Sequence, residues 1–130
     1  MAKDNVNTKI LIVEDDKINS LVLNKFLDKK YNLENAYDGY EAVDKAKTFN
    51  PEIILMDISL GDPDMDGINA MNKINELKPD KDMKFIAVTS FAMQGDKQLL
   101  LNKGFHDYLS KPIYKEQLIS SIEKQINKLQ

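Results

Sequence analysis

Residues 9–16 read Lys-Ile-Leu-Ile-Val-Glu-Asp-Asp, and residues 52–57 read Glu-Ile-Ile-Leu-Met-Asp. Each is a short, unbroken apolar run that ends in acid. A strand with one wet face alternates apolar and polar residues, whereas a run without alternation needs cover on both faces. That is the environment of a central strand in a parallel sheet. In open α/β sheets, ligands gather outside the carboxyl ends of the strands. The two segments therefore set the fold class and also place carboxylates where chemistry collects.

The same reading extends along the chain. Lys84–Thr89 (KFIAVT) is a third buried strand, while Leu33–Tyr37 and Phe105–Ser110 are weaker runs suited to edges. Amphipathic segments separate them. Residues 17–29 carry a wide apolar arc of Ile18, Leu21, Val22 and Phe26, flanked by Leu23 and Leu27. Tyr40–Phe49 turns Ala42, Val43 and Ala46 inward, and Asn50-Pro51 stops it, because a residue before proline is disfavoured in the α region. Ile68–Leu77 aligns Ile68, Met71, Ile74 and Leu77. Met93–Asn102 is a helix that Gly104 is suited to end. Lys115–Leu129 places Leu118, Ile119, Ile122 and Ile126 for burial. Strand and helix alternate five times, which predicts a doubly wound parallel sheet with helices on both faces and right-handed crossovers. The runs ending at residues 14, 57 and 89 should be central.

At 130 residues the chain has the length of one domain. Residues 1–8 read as a loose leader and residues 9–130 as a single domain. No cysteine is present, so disulfides and thiolate metal sites are excluded. The balance of 18 basic to 21 acidic residues, net −3, lacks the basic footprint of direct nucleic-acid binding. No stretch approaches the ~20 apolar residues of a membrane span, and the start does not resemble a signal peptide. The expectation is a cytoplasmic protein.

The strands deliver Glu14-Asp15-Asp16, Asp57, Thr89-Ser90 and Lys111-Pro112 to one edge. Acids crowded within a few ångströms raise one another's pKa and stay ionised together most easily around a hard divalent cation such as magnesium. Such an ion also neutralises charge on a phosphoryl group in flight. Lys111 offers a second positive charge, Thr89 a hydroxyl donor, and Asp57 a carboxylate nucleophile. Plainer roles compete. Asp16 is equally suited to cap the helix that follows it. Thr89 and Ser90 alone are ordinary strand-end residues, Tyr108 alone fits core or surface packing, and the single His106 reads as a surface residue.

The strings ILIVEDD, IILMD, MDG, AVTS and YLSKP, in this order and spacing, resemble the response-regulator receiver family over about residues 8–128. The resemblance implies a flavodoxin-like five-stranded parallel sheet in the order 2-1-3-4-5, flanked by five helices. It implies Asp57 as phosphoacceptor, with Glu14, Asp15, Asp57 and the Ser59 carbonyl around Mg2+ (or Mn2+). It further implies Thr89 and Lys111 on the phosphoryl oxygens, and a cis peptide at Pro112. Thr89, Ser90 and Tyr108 would form the switch. The implied donor is a sensor histidine kinase or a His-phosphotransfer protein, and the implied output surface is roughly residues 93–127. The domain would be a signalling switch rather than an enzyme that turns over. The string EDDKINSLVLNKFL is similar to the openings of receivers in hybrid histidine kinases and phosphorelays, with Asn19 tying the loop 14–16 to its helix. The alternative within the family is a relay intermediate that passes the group from Asp57 to another histidine. The amphipathic last helices suit a homodimer face, although such patterning mostly reflects core packing.

Two other readings fare worse. An aspartate-based hydrolase of small phosphate esters usually carries an acid two residues after the nucleophile, where this chain has Ser59. A flavin-type binder needs a phosphate-cradling loop after the first strand, where this chain has Glu14-Asp15-Asp16. The loop after Asp57, ISLGDPDMDG, runs about two residues longer than the family's and adds Asp62 and Asp64. Asp62 to Gly67 also begins like a calcium EF-hand loop, but the twelfth position is Lys73, of the wrong charge. The expectation there is a solvated acidic turn.

Overall fold

A computed structural model describes residues 7–90 and 96–129. Five parallel strands alternate with helices: β1 (Lys9–Val13), α1 (Lys17–Leu27), β2 (Asn32–Ala36), α2 (Gly39–Phe49), β3 (Ile53–Asp57), α3 (Gly67–Leu77), β4 (Lys84–Thr89), α4 (Asp96–Lys103), β5 (Asp107–Ser110) and α5 (Lys115–Ile126). A short 3-10 turn, Pro63–Met65, precedes α3. The strand order is β2-β1-β3-β4-β5, as expected. Register pairs Val13 with Met56 and Asp57 with Val88, so the acid-bearing ends of β1 and β3 lie side by side.

Alternation along buried strands explains the two-sided core. Leu11, Val13, Ile54, Met56, Phe85 and Ala87 face α2, α3 and α4. Ile10, Ile12, Ile53, Leu55 and Ile86 face α1 and α5. Truncating one of these fully buried aliphatic side chains to alanine typically costs about 2–5 kcal/mol, so both layers are needed. Aspartates start three of the helices: Asp16, Asp38 and Asp66 each accept backbone N–H bonds in the first turn.

The structure corrects the inward face expected for α1. Its buried residues are Ser20, Leu23 and Leu27, while Ile18, Leu21 and Val22 are 74%, 58% and 40% exposed. A polar seam takes their place. The Ser20 hydroxyl donates to Asn35 Oδ1 at 3.3 Å, and the amides of Asn24 and Asn35 exchange bonds of 2.8 and 3.1 Å, joining α1 to the edge strand β2. Satisfying those amides rotates the apolar arc toward solvent. Leu77 is likewise exposed, at the last turn of α3. The helix read as 17–29 ends at Leu27, with Lys29 in the left-handed region at φ 68°. Phe105, expected in the last strand, instead enters the core edge-to-face with Phe85, and β5 starts at Asp107. Gly104 ends α4 at φ 121°. The first six residues of the expected leader, and residues 93–95 of the expected fourth helix, lie outside the described residues. Among the described residues, no helix is long and apolar enough to cross a membrane.

Candidate functional site

The carboxyl ends of β1, β3 and β5 meet around one ammonium. Lys111 follows β5, and its backbone N–H donates to the Thr89 carbonyl at 2.8 Å, which fixes the loop. The Lys111–Pro112 peptide is cis. Lys111 Nζ lies 2.8 Å from Glu14 Oε1 and 3.2 Å from Asp57 Oδ2. The other oxygen of Asp57, Oδ1, accepts the Ser59 N–H at 3.1 Å. Glu14 Oε2 accepts the Asp16 N–H at 3.1 Å. Glu14 and Asp57 are buried, at 1% and 3% exposure, while Asp15 faces solvent.

Electrostatics follow from this burial. Burial pushes the Glu14 carboxyl above its ordinary value, and Asp57 adds to the push. The Lys111 and Asp16 N–H bonds oppose it. Burial and the neighbouring Glu14 raise Asp15 as well. Burial alone would lower the Lys111 ammonium, but its bond to Glu14 and the charge of Asp57 hold it above its ordinary value. Ligand atoms of Glu14, Asp15 and Asp57 lie within 4.8 Å of one another. Glu14 Oε1 is buried, and the Lys111 ammonium 2.8 Å away compensates its charge. Three hard oxygen donors with one open, solvent-facing side fit a magnesium-sized cation that keeps several waters.

Asp16 takes the capping role: its Oδ1 accepts the N–H groups of Ile18 and Asn19 at 2.8 and 3.1 Å. Thr89 is buried, and Ser90 beyond it is exposed. Thr89 lines a hollow with Ile58, Ile68, Asp96, Leu99 and Leu100. Tyr108 pairs across the sheet with Ala87 and is half-buried against the α2–α4 side of the core. His106 is exposed, as expected, and its Nδ1 accepts the Phe85 N–H at 3.0 Å at the amino end of the sheet. Among the described residues, Asp62, Asp64 and Asp66 do not join the converging acids. Asp62 Oδ1 instead accepts the Asp64 N–H and Asp66 Oδ1 the Asn69 N–H, each at 2.9 Å. Asp62 and Asp66 are turn and cap formers, in line with the acidic turn expected there.

Two features escaped the sequence reading. Gly67 lies so close to β3 that a Cβ would overlap the Asp57 carbonyl and stand 2.9 Å from Ile58 Cα. Its signal was the MDG string. The second is a groove beside the cleft, lined by Glu14, Asn19, Val22, Lys111, Pro112 and Ile113 among others. The over-wide apolar arc of α1 was the only sign of it.

A doubly wound sheet that opposes clustered carboxylates to one lysine at its carboxyl edge defines a class of small α/β domains with a cation-ready acidic cleft. Within that class the chain belongs to the response regulator receiver domain family, whose model matches residues 10–123. It is a receiver domain of two-component signalling. It is 40% identical over 110 residues to the signal transduction histidine-protein kinase BarA of Escherichia coli K12, covering 84% of this chain but 12% of the kinase's length. The receiver domain of sensor histidine kinase PA1611 from Pseudomonas aeruginosa, with magnesium coordinated in its active-site cleft, is 33% identical with a TM-score of 0.81, covering 93% of this chain and 98% of that one. The receiver domain of Saccharomyces cerevisiae Ssk1, crystallised with the histidine phosphotransfer protein Ypd1, is 31% identical with a TM-score of 0.83, covering 95% and 91%.

Proposed function

We propose that Asp57 accepts a phosphoryl group from a phosphohistidine on a sensor kinase or His-phosphotransfer protein, and that the modified domain then changes its binding surface. The carrying observation is the arrangement of Asp57 itself. It is buried at the end of β3, with Oδ1 held by the Ser59 N–H and Oδ2 by Lys111, whose ammonium also contacts Glu14. In the transfer, an Asp57 carboxylate oxygen forms the new O–P bond as the P–N bond breaks. The electron pair returns to the donor imidazole, which takes a proton from water. Glu14, Asp15, Asp57 and the Ser59 carbonyl would hold Mg2+, which supplies charge neutralisation at the phosphoryl oxygens. Lys111 pairs with one of those oxygens and Thr89 donates to another. The phosphoryl group adds charge of about −1.5 to −2 and three acceptor oxygens. Drawing Thr89 and Ser90 toward them opens space for Tyr108, which couples the cleft to the surface over roughly residues 93–127.

Donor docking is supported by the exposed stripe of Ile18, Leu21 and Val22 on α1, which runs into the groove that ends at Pro112 and Ile113 beside the cleft. The co-crystallised Ssk1 receiver and Ypd1 supply the precedent for such a partner. With Ser59 where a hydrolase would place its acid, the domain acts once per phosphorylation and does not turn over small esters. The test is transfer from a phosphorylated His-phosphotransfer protein in magnesium, read by intact mass. The reading expects one phosphoryl group on the wild type and none on Asp57→Asn; uptake by the variant would overturn it.

A further inference from the structure

The loop between Asp57 and α3 is pressed against backbone at two glycines. At its base, Gly67 donates its N–H to the Ile58 carbonyl at 3.0 Å and sits against Asp57. At its far side it meets Gly39, the first residue of α2. A Cβ on Gly39 would overlap Met65 Cγ and stand 2.5 Å from the Met65 carbonyl oxygen. Gly39 is buried and does not have a positive φ, so its backbone conformation does not require glycine. Alanine is the better helix former there. What excludes it is the room taken by Met65.

Met65 closes the 3-10 turn Pro63–Met65, and its N–H donates to the Asp62 carbonyl at 3.0 Å. Upstream, Leu60 is buried in the core beneath the loop, 3% exposed. On either side of Leu60, Ser59 donates its N–H to Asp57 Oδ1 at 3.1 Å, and a Cβ on Gly61 would stand 3.7 Å from Asp15 Oδ2. The segment 59–61 thus lines two of the three clustered acids, and the turn that fixes its far end rests on Gly39. Tyr40, beside Gly39, faces the same turn, and the charge of Asp62 pushes its phenol up.

We infer that Gly39 is a positioning residue for the cation cleft: by admitting Met65 against α2, it holds the loop 59–61 at the distance from Asp15 and Asp57 that the ion needs. This rests on the function proposed above. A helix that lends no group to the cleft would then set its affinity for the cation.

The experiment titrates Mg2+ into the full chain, following the amide signals of Ser59 and Gly61 by NMR, with urea melts in EDTA alongside. Gly39→Ala is expected to weaken Mg2+ binding about tenfold, the scale of lost outer support at metal sites. Met65→Ala, which removes the wedge but leaves the carbonyl, should weaken it less. Gly104→Ala, at φ 121° and against Met71, should lower stability and leave Mg2+ affinity unchanged. If Gly39→Ala binds as the wild type does, the inference is overturned and the proposed function stands. If Gly39→Ala fails to fold, Met65→Ala decides by the same criterion. If the wild type itself binds no Mg2+, the proposed function falls and the inference with it.

Discussion

Lys111→Met keeps the length of the side chain and deletes its charge. The ammonium lies 2.8 Å from Glu14 Oε1 and 3.2 Å from Asp57 Oδ2, with side-chain exposures of 17%, 1% and 4% for the three residues. At an effective dielectric of about 20, these separations correspond to gross attractions of about 6 and 5 kcal/mol. Desolvation of all three groups offsets most of that. Removing one partner of such a buried set typically costs about 3–5 kcal/mol, because the remaining charges lose their compensation. The loss should depend on pH. Glu14 is already held above its ordinary value by burial, and removing Lys111 deletes the strongest opposing influence. A carboxyl whose folded pKa is raised contributes stability below its unfolded pKa and loses it as pH rises through the folded value. Urea denaturation in EDTA at about pH 8 and about pH 5 should therefore show the larger deficit at the higher pH. Saturating Mg2+ should narrow it, because without the ammonium the folded acids hold the cation more tightly than in the wild type and gain more from binding it. A deficit under about 1 kcal/mol, the scale of an exposed pair, or one that does not change with pH, would show that Lys111 does not compensate buried charge on Glu14 and Asp57.

Other expectations are narrower. Leu21→Glu, on the exposed stripe of α1, should slow phosphorylation by a His-phosphotransfer donor at least about tenfold, as losing an apolar anchor at an interface core does. It should leave phosphorylation by a small phosphodonor unchanged; equal effects on both would remove α1 from the docking surface. His106→Asn should flatten the acid side of the stability profile. Burial chiefly, with Lys84 and Lys128, lowers the His106 pKa below its ordinary value, against Asp82, which raises it. A depressed histidine contributes stability above its unfolded pKa of about 6.5 and loses it as pH falls. Thermal melts in which wild type and variant fall in parallel below neutrality would remove this role.

The parts of the fold written in unbroken apolar runs were legible. Lys9–Val13 and Lys84–Thr89 match the observed strands, and Asp57 closes β3. Such runs have one low-energy environment, so burial fixes them. The face of α1 was not legible because its arc of apolar residues exceeds what one helix buries. The choice was made by Ser20, Asn24 and Asn35, whose hydrogen bonds to one another depend on β2 being alongside. For the site, the acids and Lys111 were legible from strand ends alone. The dual pairing of Lys111 with Glu14 and Asp57 was not, since it depends on three strands far apart in sequence. The acidic turn after Asp57 was expected, but which of its oxygens cap which N–H groups depends on the fold of the loop. Its acids also occur in calcium-loop spacing, but Asp62 and Asp66 each use Oδ1 to accept an N–H of the local turn or helix start.

The most direct measurement maps the phosphoryl group to a residue. The chain is phosphorylated in Mg2+ by a phosphorylated His-phosphotransfer protein, reduced with borohydride, and digested for tandem mass spectrometry. Borohydride converts an aspartyl phosphate to homoserine. Phosphoryl transfer to Asp57 predicts homoserine at position 57, dependent on both donor and Mg2+. Homoserine at Asp15 or Asp62, or a stable phosphate ester on Ser59 or Thr89 with position 57 unmodified, would contradict it.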